Sequence, residues 1–307
     1  MSLPTENKKV WLITGASSGI ACALAQYVVS RGDKVIGTVR SLSRFPETLQ
    51  KAGAQPLLLD LNAPDADIRK AGEEVFKIYG RVDVLVNNAG WGVVAPVEEL
   101  EYVRASFQSM VFGAVTLTQA LLPHFRERRT GHILNVSSIG GFSGFASWGV
   151  YSAAKAALDL FSECLSMEVA PFNICVHIVM PGYFSTNFFQ YAASTDHHKD
   201  SPIYTEPSQG FRTLEEIPKA HVAEGQIGDV EKLAARVFEV VHGIGIAKNL
   251  VEGQDGKSVW LRIPLGPDCG ESMLRKTQQL KDNAEALESI WRSTDVEPER
   301  LKCFPRG

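Results

Sequence analysis

Short apolar runs alternate along the chain with longer stretches of helical periodicity. Val10-Trp-Leu-Ile13 is apolar at every position, the pattern of a strand covered on both faces. Lys34–Val39, Pro56–Leu59, Val82–Val86, Gly131–Val136, Ile174–Val179 and Ser258–Ile263 read as further strands, with Pro56–Leu59 also buried. Between them the spacing predicts a helix ending near Ser30, one over Asp65–Tyr79, and a long one from Val97 to about Arg129 that breaks near Pro123. Another carries Tyr151 to about Ala170, and two more span Asp229–His242 and Ser272 to about Trp291. Strands alternating with helices in this way specify an α/β protein. Residues 187–225 lack sustained periodicity and are rich in His, Ser, Pro and Gly, the composition of a lid or binding loop. No internal repeat or low-complexity linker divides the chain, so residues 1–307 are expected to form one domain.

Composition narrows the function classes. The 307 residues are 45% hydrophobic and 21% charged, an ordinary globular balance. A net charge of -4 and a pI near 6.0 give no basis for nucleic-acid binding. Met1–Lys9 is polar, unlike a secretory signal, and no apolar run approaches the ~18 residues of a membrane span. The five cysteines (Cys22, Cys164, Cys175, Cys269 and Cys303) form no Cys-x-x-Cys pair, which argues against structural zinc or a disulfide framework. Cys22, Cys164 and Cys175 lie in apolar segments, where a reduced thiol acts as a small hydrophobe, and a reducing, cytoplasmic compartment is expected.

The candidate chemistry sits where strands end. Val10–Ile13 runs into Thr14-Gly-Ala-Ser-Ser-Gly-Ile-Ala21 and then into a helix, the opening of a dinucleotide-binding βαβ unit. Gly15 and Gly19 permit close backbone approach, helix-start amides would face a pyrophosphate, and Ser17 and Ser18 offer hydroxyl donors. The plainer alternative is a Gly/Ser turn. At the end of the second strand an acidic residue would bind a ribose 2′-hydroxyl. Here Val39 is neutral and Arg40 can clamp a phosphate, which favours NADP(H) over NAD, unless Arg40 is simply a solvated loop residue. Asp60 and Leu61 could flank the adenine, and the amide-rich Asn87-Asn-Ala-Gly90 could tie strands together while its backbone faces the cofactor. Ser138, at the carboxyl edge of the fifth strand, is placed to hydrogen-bond a substrate carbonyl. Tyr151 and Lys155 are four apart on a helix and share one face, so the ammonium can lower the pKa of the phenol and make it a proton donor. A Tyr-x-x-x-Lys match also occurs by chance on solvated helices.

Taken together, Thr14-Gly15-Ala16-Ser17-Ser18-Gly19-Ile20, Asn87-Asn88-Ala89-Gly90, Ser138, Tyr151/Lys155 and Pro181-Gly182, in this order and spacing, resemble the short-chain dehydrogenase/reductase family over residues 8 to about 190. Leu261-Arg-Ile-Pro-Leu-Gly-Pro267 and the final helix look like bacterial and fungal reductases of that family. The resemblance implies a Rossmann-type, doubly wound parallel sheet of seven strands and a nicotinamide cofactor. By the same likeness Tyr151 is the acid/base, Lys155 lowers its pKa and binds the nicotinamide ribose, and Ser138 orients the carbonyl. Cofactor contacts fall on Gly15, Ser17, Ser18, Ile20, Arg40, Asp60, Leu61, Asn88, Pro181, Gly182, Phe184 and Thr186. Family members commonly form homodimers or homotetramers through their long central helices. Two positions depart from the pattern. Ala21 stands where the third glycine of the phosphate loop is usual, and Met110 stands where an asparagine holds a water that resupplies protons to the lysine. A thioether is a poor substitute, which leaves a relay through Gln108 or Ser109, or a dispensable relay with Met110 packed in the core.

The expectation is an NADPH-dependent oxidoreductase reducing a carbonyl or imine, with Tyr151 as proton donor and no metal. Tyr183, Phe184, Phe188, Phe189, Tyr191 and Tyr204 suggest an apolar or aromatic small-molecule substrate, such as a secondary-metabolite intermediate, a steroid-like alcohol or a lipid carbonyl. A redox-neutral isomerase or cyclase on the same fold and a non-catalytic NADP(H) sensor are the rival readings.

Overall fold

The computed structural model describes residues 8–188, 223, 227–248, 261–296 and 300. Its seven strands are β1 (Val10–Ile13), β2 (Lys34–Val39), β3 (Gln55–Leu58), β4 (Val84–Asn87), β5 (Gly131–Val136), β6 (Ile174–Pro181) and β7 (Arg262–Leu265). They form one sheet in the order β3-β2-β1-β4-β5-β6-β7, with every pair parallel. The strand order reverses between β1 and β4, and ligands of doubly wound sheets bind at the carboxyl ends of the strands at that reversal.

The helices are α1 (Gly19–Ser30), α2 (Glu47–Lys51), α3 (Asp65–Glu74), α4 (Phe76–Tyr79), α5 (Val103–Phe107), α6 (Gly113–Arg128), α7 (Ile139–Phe142), α8 (Gly149–Val169), α9 (Val230–His242), α10 (Pro267–Ala286) and α11 (Glu288–Arg292). The period-two geometry of a strand divides β1 between two cores. Trp11 and Ile13 join Leu24 and Val28 of α1 and Phe238 of α9 on one face. Val10 and Leu12 join Ile68 of α3, Leu117 and Phe125 of α6 and Leu165 of α8 on the other. Trp11 is fully buried, its ring stacked on Phe238 at 6.1 Å and its Nε1 donating to Asp33 at 2.8 Å, so its one polar atom is satisfied.

Several boundaries differ from the sequence expectation. β3 is the edge strand rather than a buried one, and Leu58 is 57% exposed. The predicted helix from Val97 to Arg129 is interrupted at its start and middle, not at Pro123. Val97–Glu99 is a 3-10 turn, and α5 passes through a π-turn at Gln108–Phe112 into α6, which continues through Pro123 to Arg128. Pro123 and Gln119, whose carbonyl loses its helical donor, are both exposed, so water can serve that carbonyl. Val103–Arg128 is long and apolar enough by composition to cross a membrane, but 56% of its apolar window is buried within the fold. The helix expected over Asp65–Tyr79 is split into α3 and α4. β7 begins at Arg262, which pairs with Ile178, and residues 258–260 lie outside the described region. α10 starts at Pro267, earlier than expected, because proline suits the first turn and Gly266 before it takes φ +94°. Cys164 is exposed rather than packed, and Cys22, Cys164 and Cys269 are free thiols. Most of the 187–225 segment, with Phe189, Tyr191 and Tyr204, and Cys303 lie outside the described residues.

Candidate active site

The turn after β1 is shaped by two left-handed glycines, Gly15 at φ +73° and Gly19 at φ +60°. A Cβ on Gly15 would also lie 3.0 Å from Ala89 Cα, so a side chain is excluded by space as well as by conformation. Thr14 locks this turn to the end of β4: its Oγ1 accepts from Asn88 N at 2.9 Å and Ala89 N at 3.0 Å. Asn87 performs the tying role expected of the amide-rich turn, donating to Asn135 Oδ1 of β5 at 2.8 Å and Thr118 Oγ1 of α6 at 3.0 Å. Asn88 Nδ2 donates to Thr14 O at 3.2 Å. At the start of α1, Ser18 provides no side-chain cap and the first turn carries no acidic residue. The first amides of a helix lack intrahelical partners, so this end suits an anion such as a pyrophosphate.

A cavity of about 1220 Å³ opens over this loop at the strand-order reversal. Its wall includes every residue that the sequence assigned to the site: Gly15, Ser17, Ser18, Ile20, Arg40, Asp60, Leu61, Asn88, Ser138, Tyr151, Lys155, Pro181, Gly182, Phe184 and Thr186. Glycines at the turn, uncapped amides at a helix start and arginine at the end of β2 form a donor set that fits a dinucleotide. The structure adds residues that the pattern did not single out. Arg44 lines the cavity one turn beyond Arg40. Trp91, Phe145 and Trp148 join Phe188, one of the aromatic residues the sequence put forward, in an aromatic wall, in which Trp148 and Phe188 each lie 5.5 Å from the Tyr151 ring. Asp268 also lines the cavity, and its Oδ2 accepts from Tyr183 N at 2.6 Å beneath Gly182. Arg44 was visible as a basic residue near Arg40, whereas Asp268 is brought to Gly182 only by the β6–β7 pairing.

Ser138, Tyr151 and Lys155 converge from the end of β5 and the first turns of α8. Ser138 Oγ caps α7 by accepting from Gly140 N at 3.1 Å. Burial pushes the Tyr151 phenol up to about 12, with the Ser138 hydroxyl pulling it down and Asp159 adding to the rise. Lys155 is 4% exposed, and burial pushes its ammonium down to about 8 against the opposing pull of Asp159. Its Nζ donates to Val136 O at 2.6 Å and lies 5.8 Å from the Tyr151 ring centroid. The phenol is thus raised and not lowered in this geometry, because desolvation dominates, while the ammonium expected to lower it donates to a backbone carbonyl.

Both departures from the family pattern point inward. Ala21 is fully buried in the core shared by α1 and the sheet, so its methyl tightens helix–sheet packing and does not line the cavity. Met110, carried by the π-turn, is 1% exposed and packs with Val111 and Ala154 against Tyr151. A Cβ on Gly90 would be 3.3 Å from Met110 Sδ and 3.4 Å from Lys155 Nζ, so the thioether and the ammonium both border Gly90. Gln108 Nε2 is committed to Leu61 O at 3.3 Å. Ser109 Oγ donates to Ala105 O at 3.1 Å and accepts from Trp91 Nε1 at 3.1 Å. The two side chains suggested as substitute relays are thus engaged elsewhere.

Residues 9–197 match the short chain dehydrogenase family. The chain is 35% identical over 297 residues to the oxidoreductase BOA17 of Botryotinia fuckeliana, covering 94% of this chain and 98% of that protein. It is 41% identical over 182 residues to a 3-ketodihydrosphingosine reductase of Bacteroides thetaiotaomicron, covering 59% of this chain and only 65% of that protein. Among solved structures, a short-chain dehydrogenase from Streptomyces avermitilis matches with a TM-score of 0.77 and 36% identity, over 95% of this chain and all (100%) of that one. An actinorhodin polyketide ketoreductase variant with NADPH matches with a TM-score of 0.68 and 28% identity, over 86% and 97% of the two chains. A Burkholderia phymatum short chain dehydrogenase/reductase in complex with NAD shares the fold, at a TM-score of 0.70 and 21% identity over 93% and 97%.

Proposed function

Because the chain belongs to the short-chain dehydrogenase family, whose chemistry is nicotinamide-dependent oxidoreduction, we propose that it is an NADPH-dependent reductase of an apolar carbonyl compound with Tyr151 as proton donor. One observation carries this reading: Ser138, Tyr151 and Lys155 share a single cavity with a glycine turn and an uncapped helix start. Bound NADPH would supply hydride to the carbonyl carbon. Ser138 Oγ hydrogen-bonds the carbonyl oxygen, and the Tyr151 phenol transfers its proton to that oxygen as negative charge develops there. The Lys155 ammonium supports the phenolate left behind, and with its pKa near 8 it stays mostly charged at neutral pH. Arg40 and Arg44, with neutral Val39, support the phosphorylated cofactor.

The aromatic wall around Tyr151 supports an apolar substrate. Free thiols at Cys22, Cys164 and Cys269 are consistent with a reducing, cytoplasmic location. Leu160 and Met167 of α8, 62% and 70% exposed, offer an apolar face for the dimer or tetramer expected from the family.

The test is Tyr151→Phe, assayed against a panel of apolar ketones and aldehydes by loss of NADPH absorbance. A general acid contributes about 10²–10⁴ in rate, so turnover is expected to fall by about 10³ while NADPH binding by fluorescence is retained. Turnover within a few-fold of the unmodified protein sinks the assignment.

A further inference from the structure

Asp159 lies one helical turn beyond Lys155, in the series Tyr151, Lys155, Asp159, Glu163 that recurs every four residues along one face of α8. It is 2% exposed, yet neither carboxylate oxygen has a hydrogen-bond partner among the described residues. A buried carboxylate without partners is costly and calls for a role or a bridging water. The Ser137 hydroxyl beside it is also buried and unpartnered: near enough to pull the Asp159 pKa down, though not in hydrogen-bond geometry. Gly141 marks where these groups meet. A Cβ there would be 2.6 Å from Ser137 Oγ, 3.1 Å from Asp159 Oδ2 and 3.1 Å from Lys155 Cβ. A pocket lined by several unsatisfied polar groups is where an ordered water is held.

We propose that Asp159 holds and resupplies the proton of Lys155, linking it to solvent along α8 in place of the asparagine that Met110 replaces. This rests on the proposed use of Lys155 to support Tyr151. The outer end of the path is the Glu163–Arg262 ion pair, whose side chains are 35% and 23% exposed. Other groups facing Asp159 are Lys155 and Glu163 on its own helix, Ser137 after β5, Arg262 of β7 and the Cys269 thiol of α10. Burial draws the two inner groups together, Asp159 up to about 6 and Lys155 down to about 8. The ammonium is held at Val136 O and Asp159 has no direct partner among the described residues, so the proton passes between them through water bridging Ser137 and Asp159. The balance closes on one solvent proton per carbonyl reduced, the other hydrogen arriving as hydride. Tyr151 gives its proton to the carbonyl oxygen and the Lys155 ammonium reprotonates the phenolate. The Asp159 carboxylic acid reprotonates the Lys155 amine, and water at the Glu163–Arg262 end reprotonates Asp159. Asp159 touches no reacting atom. It is a positioning residue that acts through Lys155.

The experiment compares the full chain with Asp159→Asn, Asp159→Ser and Asp159→Glu. The titration of Lys155 is read by acetic anhydride labelling across pH and mass spectrometry, without cofactor or substrate. Loss of a nearby opposite charge should move the Lys155 midpoint to lower pH by about one unit in the Asn and Ser variants, and Glu should restore it. In turnover the alkaline limb of kcat should shift with it and kcat should fall about tenfold with little change in KM. Met110→Asn added to Asp159→Asn should recover kcat. An unchanged Lys155 midpoint in either folded variant overturns the proposal, as does an Asp159→Glu variant that behaves like Asp159→Asn. Labelling needs no substrate, so failure of the carbonyl-reductase reading would show only in the turnover arm.

Discussion

Removing the guanidinium groups of Arg40 and Arg44 should separate the two nicotinamide cofactors. Both residues are exposed and line the cavity at the end of β2, and neither is paired with an acidic residue among the described residues. Val39 before them is 3% exposed and carries no carboxylate that could take a ribose 2′-hydroxyl. A hydrogen bond to a charged group is worth about 1.5–3 kcal/mol, but exposed ion pairs fall to about 0.2–1 kcal/mol. Solvent reaches both arginines, so about 1 kcal/mol each is the appropriate scale. Removing both then costs about 2 kcal/mol, or roughly 30-fold in Kd at about 1.4 kcal/mol per decade. Arg40→Ala/Arg44→Ala should therefore weaken NADPH about 30-fold and leave NADH, which has no 2′-phosphate, within about twofold. Each single variant should show about a fivefold loss. Fluorescence titration of both cofactors provides the readout, at low salt and again at high salt, where screening should shrink the difference. If the double variant weakens NADPH and NADH alike, or neither, the arginines do not read the phosphate and NADP preference fails.

Two further substitutions test how the frame supports the site. Gly182→Ala would bring a methyl to 2.1 Å from Asp268 Oδ1 and 2.3 Å from Oδ2, displacing the carboxylate that holds Tyr183 N. Overpacking of this kind costs about 1–3 kcal/mol, so a lower urea midpoint with weaker cofactor binding is expected, and a midpoint equal to wild type would contradict the geometry. Asp83 accepts from Val10 N at 2.8 Å, Arg81 Nε at 2.9 Å and Arg128 at 2.6 Å. Burial alone would raise its pKa, but Arg128, the Val10 amide and Arg81 together hold it below the ordinary carboxylate value. A folded pKa below the unfolded one gives stability that is present above about pH 4 and lost as pH falls through the folded value. Asp83→Asn should accordingly be less stable at neutral pH and lose less on acidification, with urea midpoints converging toward wild type below about pH 4. Parallel curves would exclude the linkage.

Apolar runs located the strands because a parallel sheet covered on both faces leaves few polar positions to confuse the pattern. The same logic misjudged β3, where Leu57 and Leu58 look like core in sequence but sit at the sheet edge with Leu58 exposed. Strand position within a sheet is a long-range property that a local run does not encode. The helix over residues 97–129 failed for another reason. A π-turn at Gln108–Phe112 costs no special residue, so nothing in the spacing announced it, whereas Pro123 announced a break that solvent at Gln119 makes unnecessary. Asp268, Trp91, Phe145 and Trp148 reach the cavity through tertiary pairing, beyond what any local motif records.

A spacing of four correctly placed Tyr151 and Lys155 on one face of α8, but shared placement did not determine which charge governs which. Burial sends the phenol up to about 12 and the ammonium down to about 8, because desolvation penalises the charged form of each and Nζ is held by Val136 O. Lys155 still stays mostly charged at neutral pH, and Asp159 is the group that opposes the fall. The same spacing carried one turn further reaches Asp159, the carboxylate whose charge raises Lys155, and then Glu163 at the rim. Met110 removes the usual polar partner from one side of Lys155, and α8 supplies a titratable one on the other. Proton supply to the site is thus a property of the whole helix face, and Tyr-x-x-x-Lys is only its inner half.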